Sequence, residues 1–384
     1  RRGLVVGETG RGTFVHEAVP DAPPTIWEHS QRRRFIDLSH NFPINAPTSP
    51  ALAGILRKVS RVHELRALMT YQVDLGLKRH RSAGAAWIRA SGMPATAEEV
   101  VVTAGAQHGI LLALSALARP GDVVMCEELT FYGLKSAAHT LGLTLAAVGM
   151  DAQGLLPQRL DEIARRTGSK VLYCMPTLHN PTTAIMSVER RQQVARICEL
   201  HAITIIEDDV YGFLVCPRVS PLSSFVPRQS IYLTSLSKCI GPGLRIGYLR
   251  ATQELVARIG IPLRASILMA TPFMAEVASR LIRDGAADHI ASVQRSDVMQ
   301  RQTAAATLLP AKLRRANPSS FHIWLYMSNG WTARQFAREA GRRGVGVTPV
   351  EIFAVDARCY ANAVRVCISA AHDMSRLRAG LGTL

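Results

Sequence analysis

Six short apolar runs, at 122–127, 144–149, 171–175, 203–208, 230–234 and 245–250, pace the middle of this 384-residue chain. Each is apolar at consecutive rather than alternate positions, which marks a strand buried on both faces. Between them lie stretches with helical spacing, at 131–141, 157–167 and 187–201. Buried strands alternating with helices predict an α/β fold, a mainly parallel sheet covered on both sides. A β-branched run from Glu98 to Thr103 precedes them. It is followed by Gly105-Ala106-Gln107 and a long apolar helix from Ile110 to Ala118. Beyond residue 252 the pattern changes. Helical stretches dominate from Glu254 to about Leu309. Strand-like runs at 320–327 and 363–369 then mix with helices at 332–343 and 373–381, predicting a second, smaller α+β unit.

Composition narrows the class. At 48% hydrophobic residues the chain can bury a large core. Its longest apolar stretch, Ile110 to Ala118, is far short of the roughly 18–20 residues of a membrane span. Residues 1–15 contain no continuous apolar segment, so no secretory leader is expected there. The seven cysteines show no CxxC spacing, which predicts free thiols in a reducing, cytoplasmic setting. The histidines are scattered without metal-ligand spacing, and no metal site is expected. The net charge of +16 favours polyanions such as nucleic acid. The basic residues nevertheless fall as dispersed doublets, such as Arg33–Arg34 and Arg342–Arg343, rather than as one stripe.

The chemistry concentrates at 230–251, SIYLTSLSKCIGPGLRIGYLRA. Two buried strands enclose a polar turn carrying Ser235, Ser237, Lys238 and Arg245, with Gly241, Pro242 and Gly243 as breakers. A lysine is seldom placed in such a turn for stability. The set makes chemical sense if Lys238 forms a Schiff base while Ser235, Ser237 and Arg245 hold a phosphate, the pattern of a pyridoxal 5'-phosphate (PLP) site. Gly105, Ala106 and Gln107, between strand and helix, offer backbone N–H groups and close approach for the same phosphate. Arg365 sits within a β-branched strand, AVRVCISA. A bidentate grip on an α-carboxylate explains it, and a structural ion pair is the alternative.

These motifs, with CEELTFYGLK, MPTLHNPTTAIMS and IIEDDVYGFL, make residues 35–384 resemble a fold-type I, class I/II aminotransferase (aspartate aminotransferase-like). The resemblance implies further roles. Phe131 falls at the ring-stacking aromatic, although Tyr is more usual there, and Tyr132 stands where Pro is common. Asn180 and Tyr211 match the donors to the cofactor's phenolic oxygen. Asp208 matches the partner of the pyridinium nitrogen, chosen over Glu207 and Asp209 by its spacing to Tyr211. Tyr71 matches a tyrosine that reaches the phosphate of a neighbouring subunit, which implies a homodimer. Lys238, once displaced by an amino acid, would shuttle a proton. His179, beside Asn180, has no required role.

At the start, GETGRGTFV reads as a small hairpin and resembles the end of the wing in GntR-type winged helix-turn-helix regulators. An ordinary hairpin packed on the main domain is the alternative. The expected organisation is a wing remnant at 1–15, a linker at 16–35, a PLP-binding large domain at 36–255 with an extended arm at 40–47, and connecting helices with a small domain at 256–384. This resembles the MocR regulators, in which an aminotransferase-like domain would sense PLP or an amino acid and a winged helix-turn-helix, otherwise absent from this chain, would bind DNA. An active aminotransferase, passing an amino group from an amino acid to a 2-oxo acid, is the second expectation.

Overall fold

The computed structural model describes residues 35–44, 48–61, 65–328, 330–356 and 361–384, with the backbone of 5–8 and 12–15. The expected linker therefore lies outside the described residues, apart from Phe35. Val5–Glu8 and Gly12–Val15 pair antiparallel, Val5 opposite Val15, so the first segment is a hairpin.

Seven strands form the central sheet: β1 (Val100–Thr103), β2 (Val123–Glu127), β3 (Thr144–Val148), β4 (Val171–Cys174), β5 (Thr204–Asp208), β6 (Ser230–Ser235) and β7 (Gly247–Arg250). Their order is β1-β7-β6-β5-β4-β2-β3. The pairs from β6 through β5, β4 and β2 to β3 are parallel, and only β7 runs antiparallel to its neighbours. Every residue of β1, β4, β6 and β7 is buried. Helices on both faces supply that burial, which is why these strands are largely apolar, with polar residues mainly at their ends. The parallel order also places the ends of β5 and β6, with Asp208 and Ser235, side by side. Right after β6 the chain turns through Lys238 and a short 3₁₀ segment, Pro242–Leu244, before returning as β7.

Three helices, Gln253–Ile267, Pro272–Arg283 and Ala286–Leu308, follow, as the helical spacing beyond Glu254 predicts. The C-terminal unit is a four-stranded antiparallel sheet of β8 (Arg314–Ala316), β9 (His322–Tyr326), β10 (Thr348–Pro349) and β11 (Ala363–Cys367), ordered β8-β9-β11-β10. The Ala333–Arg342 helix packs on it behind a Thr332/Gln335 capping box. The arm begins on this unit too. Ile36–Asp37 pairs in parallel with Val345–Gly346, and Cys367 donates its backbone N–H to Leu38. The arm then turns inward, so His40 and Asn41 are buried. No described helix is long and apolar enough to cross a membrane.

Candidate functional site

The ends of β5 and β6, the arm and β11 enclose a cavity of about 210 Å³. Its walls include Lys238, Asp208, Asn180, Tyr211, Phe131, Ala106, Gln107, Ser235, Ser237, Arg245 and Arg365. Sequence reasoning selected all eleven, from segments spread over some 260 residues. Gly105 sits just behind this lining. Its φ of +87° suits glycine, and a Cβ there would stand 2.9 Å from Arg245 Nη2. It caps the Ala106–Leu117 helix, whose first residues, Ala106 and Gln107, line the cavity. Tyr71 is absent from the cavity walls and 82% exposed in the single chain.

One end of the cavity suits a phosphate. Ser235 and Ser237 are buried, with Ser235 Oγ 2.9 Å from Ser237 Oγ. Arg245 takes a left-handed backbone, φ 50°, and anchors Nη2 to the Ala104 carbonyl at 2.9 Å. Its remaining donors are available to an anion. Lys238 is half-buried, and its Nζ donates to the Asn41 carbonyl at 2.8 Å. Burial foremost, then the Arg365 charge, lowers this amine to about 8.

The acidic wall comes from β5. Of the run Glu207-Asp208-Asp209, only Asp208 lines the cavity. Glu207 accepts from the backbone N–H of Leu222 and Ser223, and Asp209 accepts from the Tyr232 hydroxyl. Asp208 takes the Tyr173 hydroxyl on Oδ2 at 2.8 Å, while its buried Oδ1 has no hydrogen-bond partner among the described residues. Burial raises its carboxyl to about 6, and the Tyr173 bond opposes that rise. Glu127, fully buried nearby, is pushed up to about 8 by desolvation.

Asn180 lies in a loop that a buried arginine holds. Arg191 donates to the carbonyls of Met186 and Pro176, each at 2.9 Å, and to Thr177 Oγ1. Arg365 donates Nη1 to Asn180 Oδ1 at 2.7 Å and Nη2 to the Ser39 carbonyl, with its guanidinium 4.8 Å from the Phe353 ring centre. Asn180's amide hydrogens are thereby left for the cavity. Arg365 has no carboxylate partner among the described ion pairs, so the structural ion pair weighed for it is not what holds it there.

Four contributors escaped the sequence reading. Asn41, on the arm, lines the cavity beside His40 and Phe42. Its Nδ2 lies 2.9 Å from the Tyr211 hydroxyl and 3.0 Å from His322 Nδ1. Tyr173 and Arg191 act from behind the wall. The only signal available was a polar side chain inside an otherwise apolar run, as in VLYC for Tyr173 and FHIWLY for His322. Burial lowers the His179 ring to about 3.

The residues present fit PLP. Two serines with an arginine, a depressed lysine, a carboxylate and a second arginine with no carboxylate partner among the described residues face one space. Comparison with known proteins agrees. The family of class I and II aminotransferases matches residues 33–384. The chain is 27% identical to the uncharacterized HTH-type transcriptional regulator YdeF of Bacillus subtilis, over 99% of this chain and 82% of that protein. It is 29% identical to the uncharacterized HTH-type transcriptional regulator YjiR of Escherichia coli, over 64% of this chain, and spans only 57% of that relative's length. Aromatic-amino-acid aminotransferase 1 of Thermococcus litoralis is 25% identical over 79% of this chain and 76% of its own. A solved kynurenine aminotransferase of Pyrococcus horikoshii has the same fold, with a TM-score of 0.85 at 20% identity, covering 96% of this chain and 95% of that one. The architecture is that of the fold-type I PLP-dependent transferases.

Proposed function

This chain belongs to the class I and II aminotransferase family, a PLP-dependent family, and from that premise we propose that it is the effector domain of a MocR/GntR-type transcriptional regulator, sensing an amino acid or PLP. The observation that carries this reading is the alignment with a regulator-named relative over 99% of the chain. The hairpin at 5–15 is in keeping with a wing. DNA contact would belong to a winged helix-turn-helix of the whole protein.

Bound in the cavity, PLP would supply an electron-withdrawing ring. The chain's own residues would do the rest. Lys238 is the attachment amine and, once free, a base that holds or releases a proton near neutral pH. Asp208 would keep the ring nitrogen protonated, and Asn180 and Tyr211 would donate to the phenolic oxygen. Phe131 offers a flat apolar face. Gly105, Ala106, Gln107, Ser235, Ser237 and Arg245 would hold the phosphate. Arg365, with Asn180, would take the ligand's α-carboxylate. Tyr71 is exposed beside Met69 and Val73, also exposed. A second copy covering this face would bring Tyr71 to its partner's phosphate site, in a homodimer.

A working aminotransferase is the second reading. The full set of charged and donor groups in the cavity favours it. The test is a multiple-turnover assay of the PLP-loaded protein with a panel of amino acids and 2-oxoglutarate or pyruvate. Cofactor absorbance and keto-acid product are followed together, with Lys238→Ala as control. A ligand-dependent spectral change without accumulating product supports the sensor. Sustained product formation that the control lacks makes the protein an enzyme and overturns a sensor-only role.

A further inference from the structure

Tyr211, Asn41 and His322 form a hydrogen-bonded chain whose polarity can be read from one end. That end is the main-chain carbonyl of His179, which can only accept. His322 Nε2 lies 3.2 Å from it, so this nitrogen carries a proton. His322 is fully buried. Burial foremost, then the nearby Arg365 charge, holds its ring well below the ordinary histidine range; the hydrogen bond to the His179 carbonyl opposes this and the Lys238 charge adds to it. The ring is therefore neutral and its Nδ1 is bare.

A bare Nδ1 needs a donor, and Asn41 stands 3.0 Å away. Asn41 must present its NH₂ rather than its oxygen. The same Nδ2 is 2.9 Å from the Tyr211 hydroxyl oxygen. One amide hydrogen goes to each neighbour, so the Tyr211 oxygen accepts. Its own hydrogen must then point elsewhere. Among the described residues Asn41 is the one hydrogen-bond partner of that hydroxyl, and Tyr211 lines the cavity. If the amide were turned over, His322 Nδ1 would have to donate. A neutral ring would then set a bare Nε2 against a carbonyl.

We propose that Asn41 and His322 are positioning residues that make Tyr211 a hydrogen-bond donor into the cavity, aimed at an anionic oxygen of the ligand. Resting on the PLP reading above, that acceptor is the phenolic oxygen of PLP. A donor there favours the oxygen's anionic form. The arm and β9 thereby set the behaviour of a residue held by β5.

Two measurements test this. The first uses the unaltered protein with ¹⁵N-labelled histidine, the His322 signals being assigned with His322→Gln. The expected result is a protonated Nε2 and a bare Nδ1 from about pH 6 to about pH 8. A protonated Nδ1 overturns the proposal. The second follows the pH midpoint of the PLP-loaded protein's absorbance. Tyr211→Phe is expected to raise it by about one unit, the size of one hydrogen bond to a charged oxygen. Asn41→Ala is expected to raise it by about half as much, and to add nothing in the Tyr211→Phe background. Equal shifts in both backgrounds mean that Asn41 acts independently of Tyr211, and overturn the relay. Lys238→Ala separates the premises: an unchanged spectrum in that variant sinks attachment at Lys238, while the histidine result stands by itself.

Discussion

Two regions build the cavity in different ways. The floor comes from the C-terminal ends of parallel strands, with Asp208 ending β5, Ser235 ending β6 and Lys238 just past it. The opposite wall comes from the arm and the antiparallel sheet, with Asn41, His322 and Arg365. Floor residues sit in contiguous motifs on strands whose neighbours are fixed by main-chain pairing. Wall residues meet the floor across a gap of 170 residues, Asn41 to Tyr211, and one another across 281, Asn41 to His322. On the proposed reading, the floor would hold the groups for covalent attachment, and the wall those that read a ligand and aim the floor's donors.

The largest expected effect tests the floor. Lys238→Ala should abolish covalent PLP attachment completely, seen as loss of the lysine-dependent absorbance and of resistance to dialysis. Persistence of both would place the attachment elsewhere and dissolve the contrast.

Next in size is the pH response of attachment. The native state releases the Lys238 proton near about 8, against 10.5 for the free side chain. Free amine is the attacking form, so attachment to the apo-protein should accelerate about tenfold per pH unit below that value and level off above it. The folding consequence has the same origin. Between about 8 and 10.5 the unfolded chain holds this proton and the native state does not. This group therefore adds to stability as pH rises through that window. A rate that climbs without levelling up to pH 10 would show that burial does not depress the amine.

The wall is probed by Arg365→Ala. Loss of a charge-assisted grip should weaken amino-acid binding by about 10- to 100-fold while PLP stays attached. Spectral titration with amino acids measures the first, and absorbance of the ligand-free protein the second. Loss of PLP attachment would mean that the wall also carries the cofactor.

Tyr173→Phe gives the smallest effect. Removing the 2.8 Å bond to Asp208 should cost about 1 kcal/mol in urea unfolding. It should also let the Asp208 carboxyl rise above about 6, because that bond favours the carboxylate. An unchanged unfolding midpoint would show the hydroxyl to be energetically idle.

How much was legible follows the same division. The six apolar runs each became a strand within a residue or two, because a strand buried on both faces is apolar at consecutive positions through most of its length. Lys238 with its serines and Arg245 was legible because one turn carries them all. Asp208 could be told from Glu207 and Asp209 only through its spacing to Tyr211, and the structure shows what separates them: the two neighbours are occupied by Leu222, Ser223 and Tyr232. Asn41 was readable only as part of an extended, proline-bearing arm. Nothing local tells that HNFP turns inward, since its partners lie on other elements.

By itself, then, the order of residues determined the strand and helix sequence and the turn that gathers Ser237, Lys238 and Arg245 just past Ser235, all of which depend on neighbours within a few positions. The tertiary structure alone decided which carboxylate faces the cavity, how far burial depresses Lys238, and which way the Asn41 amide points. Those properties depend on desolvation and on donors brought from distant segments, and a side chain's charge and hydrogen-bond polarity are set by what surrounds it in space.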